Sequence, residues 1–340
     1  MTLNYEEEDF EFQKMLSDLK RQFKILTTSQ SVLEKKSAMK EIEDYLEEYK
    51  LDLEPNELDI IMKQFSKDLL QAFSDKSDKI RETSIKIYTD LLSRMDNLDP
   101  QLKYTFSILT ARTNCYDLDG IQGLDEKMLP AEGQKPKKMT RIVEKSEVCR
   151  ELLLDLFSTL MSCMNGLQMR AYINEAVSLT RVFLMDPFDK IQIKGCRVLS
   201  ALTTNFTKLC YHFTVILARA LLLPLISRKS QVKLVALQAL HDVLYCGTWK
   251  YTHEVFDVLV GFRDPNVVPI KDFYESSHNY NYFALLIGSK NVVVREAFLR
   301  FMGDLLIGLP DRVDIKGRGF AYILTGFFDP HDSIKVKIET

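Results

Sequence analysis

The chain has 340 residues, with 45 Lys and Arg against 48 Asp and Glu, for a formal charge of −3. That length can bury a large core, and the near-neutral balance offers no electrostatic footprint for a nucleic-acid backbone. Glycine and proline are scarce, at 13 and 10, and strand-like alternation is weak, so the chain reads as all-α.

Met1–Phe10 is acidic through Glu6, Glu7, Glu8 and Asp9, unlike a secretory signal. Glu11–Ile25 and Val32–Tyr49 have helical apolar spacing and a polar outer surface, as expected of an N-terminal helical cap over residues 1–50. Pro55 then opens a repeat array expected to fill residues 51–340. Its first long apolar stretch, Leu58–Phe73, is followed by Asp75, with Ile80 five residues later and Arg81 six residues later. Leu102–Ala111 and Val148–Met164 read as a further helix pair, separated by an insertion at about 113–145 that holds Gly120, Gly123, Pro130, Gly133, Pro136, Lys135, Lys137, Lys138 and Arg141.

Tyr172–Met185 precedes Asp186/Ile191/Gln192, and Phe213–Ile226 precedes Ser227/Val232/Lys233. A second insertion at about 263–279, with Pro265, Pro269, Phe273 and Tyr274, leads through Tyr280 and Tyr282 to Ser289/Val294/Arg295. Phe320–Phe328 precedes Asp329/Ile334/Lys335, and Ile334–Thr340 starts a helix that stops after two turns. The array is therefore expected to continue in a longer protein.

The recurring mark is an Asp or Ser, an Ile or Val five residues on, and usually a base six residues on. Each copy opens a helix, and Asp or Ser there is expected to serve as its N-cap. The base is expected to reach back to the Asp of its own repeat or of the next. Small residues come early on these helices (Ser84, Gly195, Ala236, Ala297) and let each approach its partner closely. Asp186 and Ser227 stand 41 residues apart (227 − 186), and Ser289 and Asp329 stand 40 apart (329 − 289). A two-helix unit of that period predicts a right-handed α-solenoid of HEAT-like helix-turn-helix repeats. Such arrays hold extended proteins on their second helices.

No residue set supports catalysis, a cofactor or a metal. Gly317-Arg318-Gly319 lacks its third glycine, since position 322 is Tyr. Asp117-Leu118-Asp119-Gly120 has its glycine too early for a calcium loop and Met128 where Glu is needed. His241, Cys246 and His253 fit no zinc spacing, and Trp249 reads as a packing residue in a turn. The six cysteines include no CxxC pair and read as reduced, intracellular thiols. The longest apolar run, Val215–Ile226, is interrupted by Arg219 and is too short for a bilayer. Together these predict a soluble cytosolic protein whose partners are proteins, with no nucleic acid, membrane or small-molecule substrate. Inserted loops fall on one face of a solenoid, often the binding face, so Lys135, Lys137, Lys138, Phe273, Tyr274, Tyr280 and Tyr282 are the candidate partner-binding residues.

The block from Tyr172 to Asp332 resembles the dynein axonemal assembly factor 5 family of HEAT-repeat proteins. The likeness lies in Asp186-Pro187 with Ile191 and Lys194-Gly195-Cys196, in Val292-Val293-Val294-Arg295, in Gly303-Asp304-Leu305-Leu306 and in Pro310-Asp311-Arg312. Ser146–Asp155, with Glu147, Arg150 and Leu152–Leu154, is similar to the corresponding family helix. The resemblance implies a cytoplasmic scaffold, without catalytic residues, that helps axonemal dynein arms assemble beside other assembly factors and chaperones. The pattern alone leaves open a scaffold on ciliary microtubules, or another HEAT adaptor in nuclear transport or a phosphatase.

Overall fold

The computed structural model describes residues 2–49, 53–115, 143–247, 252–260, 281–308, 313–332 and 334–335. Among them every regular element is helical, and the helices pack pairwise on sequence neighbours, which places the chain in the all-α solenoid class. No described helix is long and apolar enough to cross a membrane. The chain divides into two compact units, one of Met1–Asn114 with Ile142–Ala171, the other of Cys115–Arg141 with Tyr172–Thr340.

In the first unit, α1 (Thr2–Thr28), α3 (Pro55–Ala72) and α5 (Asp99–Thr113) are the first helices of their repeats. Their partners α2 (Val32–Glu48), α4 (Asp78–Ser93) and α6 (Glu147–Cys163) pack side by side as a second layer. The starts follow from local chemistry. Ser31 and Ser146 accept from the N–H groups of Glu34 and Cys149, and Pro55 occupies the first turn of α3, where its missing N–H costs nothing. Helix α5 ends on Asn114 at φ 54°, a left-handed cap that asparagine tolerates well. Phe23 of α1 stacks on Phe65 of α3 at 4.5 Å, and Tyr88 of α4 shares a 2.6 Å hydrogen bond with Thr105 of α5 inside the core.

The second unit takes in the later part of α7 (Gly166–Leu184), then α8 (Asp189–Asn205). Phe213–Ile226, expected as one helix, is broken. Short α9 (Thr207–Cys210) and a 3-10 turn (Tyr211–Phe213) lead to α10 (Thr214–Ala220) and α11 (Leu222–Leu225). Pro224 is the reason, because it has no N–H for the carbonyl of Ala220 and its ring would collide there. The backbone instead tightens, with Leu221 N–H donating to the Ala218 carbonyl at 3.1 Å. Next come α12 (Ser230–Cys246), α13 (Thr252–Val260), α14 (Tyr282–Ile287), α15 (Val292–Gly308) and α16 (Val313–Gly326). The second helices α8, α12 and α15 lie side by side here as α2, α4 and α6 do in the first unit.

Phe283 of α14 is the hub of the second core. Its ring meets Phe256, Phe298 and Tyr322 edge-on, at 5.3, 5.2 and 5.6 Å. Two glycines permit close helix approach. A Cβ on Gly195 would sit 3.3 Å from the Phe183 backbone carbon, and one on Gly319 would sit 3.0 Å from Leu306. Gly317-Arg318-Gly319 is thus the interior of a packed helix, not a phosphate loop. All six cysteines are unbridged, and all but Cys163 are buried.

Candidate partner-binding surface

The second helices are held at their starts by the recurring mark, though not in the way the N-cap expectation has it. In each copy the side chain accepts from the N–H two residues on. Ser77 donates to Asp75 at 2.8 Å, Phe188 to Asp186 at 2.9 Å, Lys229 to Ser227 at 3.2 Å, Asn291 to Ser289 at 3.3 Å and His331 to Asp329 at 2.9 Å. This is a side-chain turn that steers the chain into the helix, which begins three residues after the mark. The N-cap position belongs to Ser77, Phe188 and Lys229 in the first three copies.

At Arg81 and Arg295 the base six residues on does what its spacing predicts, whereas Lys335 pairs with Asp332 at 3.4 Å. Arg81 Nη1 donates to the Asp75 carbonyl of its own turn at 2.9 Å, and Arg295 Nη1 to the Ser289 carbonyl at 2.8 Å. The rest of each guanidinium grips the acid of the next repeat. Arg295 donates from Nε and Nη2 to the two carboxylate oxygens of Asp329 at 2.7 and 2.9 Å. Arg81 binds both oxygens of Glu144 in the same forked way, at 2.9 and 2.8 Å.

Those bonds reveal two further copies that the sequence pattern did not pick out. Ser146 N–H donates to Glu144 at 2.9 Å, α6 starts at Glu147, and Arg150 returns to the Lys145 carbonyl at 3.1 Å. Ser31 N–H donates to Ser29 at 3.0 Å, α2 starts at Val32, and Lys35 Nζ reaches Asp75 of the next repeat at 3.0 Å. Requiring Ile or Val at the fifth place hid both, since Glu34 and Cys149 stand there, and requiring Asp or Ser at the first place hid Glu144 as well. An oxygen-bearing residue with a base six positions later would have found them.

Glu144 is the most heavily engaged member. It is 1% exposed and binds Arg81, Arg112 and the Ser146 N–H. Burial opposes its charge, yet these bonds outweigh that and hold the carboxyl below its usual range. The bond from Arg295 does the same for Asp329. Lys233 makes neither contact: it is half-buried, has no ion pair among the described residues, and the next repeat offers Ser289 instead of an acid. Burial accordingly lowers its pKa.

With the second helices fixed in this way, a groove of about 400 Å³ lies between α2 and α4, lined by Lys36, Met39, Lys40, Glu43, Lys79, Ile80 and Thr83. Met39 and Ile80 form a buried floor, and the three lysines stand exposed around it.

Of the sequence candidates, Lys135, Lys137, Lys138, Phe273, Tyr274 and Tyr280 lie outside the described residues, as do Trp249 and Asp117–Gly120. Tyr282 is 3% exposed, packed at the start of α14 beside Phe283, so its ring is part of the core and not of a surface. Cys246 is buried, its thiol donating to the Thr207 carbonyl at 3.2 Å. His241 lies 3.5 Å from Asp242, and His253 3.6 Å from Asp257. No cluster of three metal-ligating side chains occurs among the described residues.

The family model described as dynein axonemal assembly factor 5-like, TPR repeats, matches residues 26–120 and 134–261. A Xenopus laevis dynein axonemal assembly factor 5 is 23% identical over 269 residues, which is 79% of this chain and 26% of the relative. The chain thus spans about a quarter of that relative's length. Among solved structures, an engineered protein aligns at TM-score 0.45 and 12% identity, over 86% of this chain and 97% of its own. A designed armadillo repeat protein aligns at TM-score 0.43 and 13% identity, over 84% and 99%.

Proposed function

The chain belongs to the dynein axonemal assembly factor 5-like family, and from that premise we propose that it is a protein-binding scaffold for the cytoplasmic preassembly of axonemal dynein arms. The observation that carries this reading is the family match across both units, residues 26–120 and 134–261. Helix pairs tied only to their neighbours suit the role, because such an array presents a long row of second helices to a client. Its partners on this reading are axonemal dynein chains, other assembly factors and chaperones. Its work is holding, not catalysis, and its place is the cytoplasm of ciliated cells.

The two insertions belong to the same proposal. Lys135, Lys137 and Lys138 in the first, and Phe273, Tyr274 and Tyr280 in and after the second, are offered as contact residues. Deleting Tyr116–Lys138 without losing any partner refutes this for the first insertion. The scaffold reading itself is tested by affinity purification of the tagged protein from the soluble cytoplasm of ciliating cells, with mass spectrometry of what accompanies it. Dynein-arm chains and chaperones are expected. Nuclear-transport, phosphatase or axonemal structural proteins in their place would overturn the family-based function and leave the fold untouched.

A further inference from the structure

We propose that the groove between α2 and α4 is a docking site for an acidic peptide segment of a protein partner. The inference rests on the scaffold reading for the existence of a partner, and adds where one of its segments binds and what charge it carries.

Lys36, Lys40 and Glu43 line one stripe of α2 with Met39, while Lys79 and Thr83 line α4 with Ile80. Three ammonium groups therefore face one carboxylate, on a chain whose formal charge is −3. None of the three lysines has an ion pair among the described residues. Three nearby charges are engaged elsewhere. Lys35 is bound to Asp75 at 3.0 Å, and Asp78 to Arg81 at 2.6 Å. Glu34 accepts the Ser29 hydroxyl at 2.6 Å. Glu43 is the one carboxylate among the residues that line the groove.

The position sharpens the field. Helix α4 begins at Asp78, so Lys79 stands in its first turn, where the helix dipole is already positive. Lys36 and Lys40 also repel each other across one turn. An anion in the groove relieves both effects at once. The volume, about 400 Å³, falls within the roughly 300–1,000 Å³ of ligand clefts.

The floor selects the class of anion. Met39 and Ile80, 2% and 1% exposed, close the base of the groove, and the stems of the exposed lysines give its apolar walls, which fits carboxylates interleaved with aliphatic side chains. A nucleic acid would need a basic track far longer than three lysines, and would meet an overall negative chain.

The test uses the full chain and two fluorescent peptides, one of alternating Glu and Leu and the same peptide with Gln for Glu. The acidic peptide should bind, weaken in 0.5 M salt, and weaken about tenfold in a Lys36→Gln/Lys40→Gln/Lys79→Gln variant. These lysines are exposed, so the variant should keep the helicity and melting temperature of the parent. Glu43→Gln should shift the affinity the other way, tightening it a few-fold. Equal binding of the Gln peptide, indifference to the triple variant, or preferential binding of a single-stranded RNA of equal charge would overturn the proposal. The same triple variant taken through the cytoplasmic purification keeps the two readings apart. Loss of one partner from a set that is otherwise retained supports the groove. Retention of the whole set overturns it without touching the scaffold reading. A parent chain that recovers no dynein-arm partner sinks the scaffold reading, while the peptide measurements still judge the groove.

Discussion

Glu144 joins three donors inside the first unit, and its replacement isolates the value of that junction. Glu144→Gln keeps the shape but leaves Arg81 and Arg112 facing a neutral amide, both nearly buried. Breaking a buried pair from one side costs roughly 3–5 kcal/mol, so urea unfolding of the variant should show a loss in that range. The pH dependence has a definite sign. A carboxyl held below its usual range in the fold contributes stability that is complete above its unfolded pKa, about 4, and is lost as pH falls through the lower folded value. Glu144 and Asp329 both act in this sense. Acid melts of Glu144→Gln and Asp329→Asn should therefore be flatter below pH 4 than that of the parent. At this scale the sequence was legible at Asp75/Arg81 and Ser289/Arg295, where the base returns to its own turn. It was not legible at Glu144, where the longer carboxylate does the same work, nor at Tyr282, whose aromatic neighbourhood reads equally well as a surface or a core.

An element in this chain is a helix plus the turn that launches it, and two substitutions probe that pairing. Ser289 holds its turn as Asp does in other copies, but gives Lys233 no carboxylate. The starts of α12 and α15 are already joined by Asn291 donating to Ser230 at 3.0 Å. Ser289→Asp should keep the turn, pair with Lys233 and stabilise the fold by about 0.5–1 kcal/mol. That is a rise in melting temperature of about 2 °C. Adding Lys233→Gln should cancel the gain in a double-mutant cycle. Gly195→Val tests the opposite limit. Its side chain would press on the Phe183–Leu184 backbone and should cost about 1–3 kcal/mol by calorimetry. The close approach at Gly195 could be read from its early place on the helix. The break before α11 could not be read from apolar spacing alone, because Pro224 sits in a stretch of leucines whose pattern is helical throughout.

At the scale of the whole chain, stability in a repeat array is close to a sum of nearest-neighbour terms. A lesion should then stay local. Hydrogen exchange of Glu144→Gln should quicken in α4, α5 and α6 and remain at parent rates in α12 and α15. Uniform acceleration over the chain would show one cooperative block instead. The all-α class and the two-helix unit followed from a repeated polar mark with helical spacing after it. The division into two units did not, because it depends on which helices pack together and not on composition.

The contact between Arg112 and Glu144 carries one more consequence. These residues stand 32 positions apart, one in the last turn of α5 and the other just ahead of α6, so the departure and return points of the intervening chain are pinned to each other. Both ends of the intervening stretch are thereby fixed at one clasp, whatever number of residues separates them. Closing a loop twice as long costs only about 0.6 kcal/mol more. The first unit therefore holds a ready-made graft point, at which a reporter domain with neighbouring termini could be spliced in while the helices on either side keep their register.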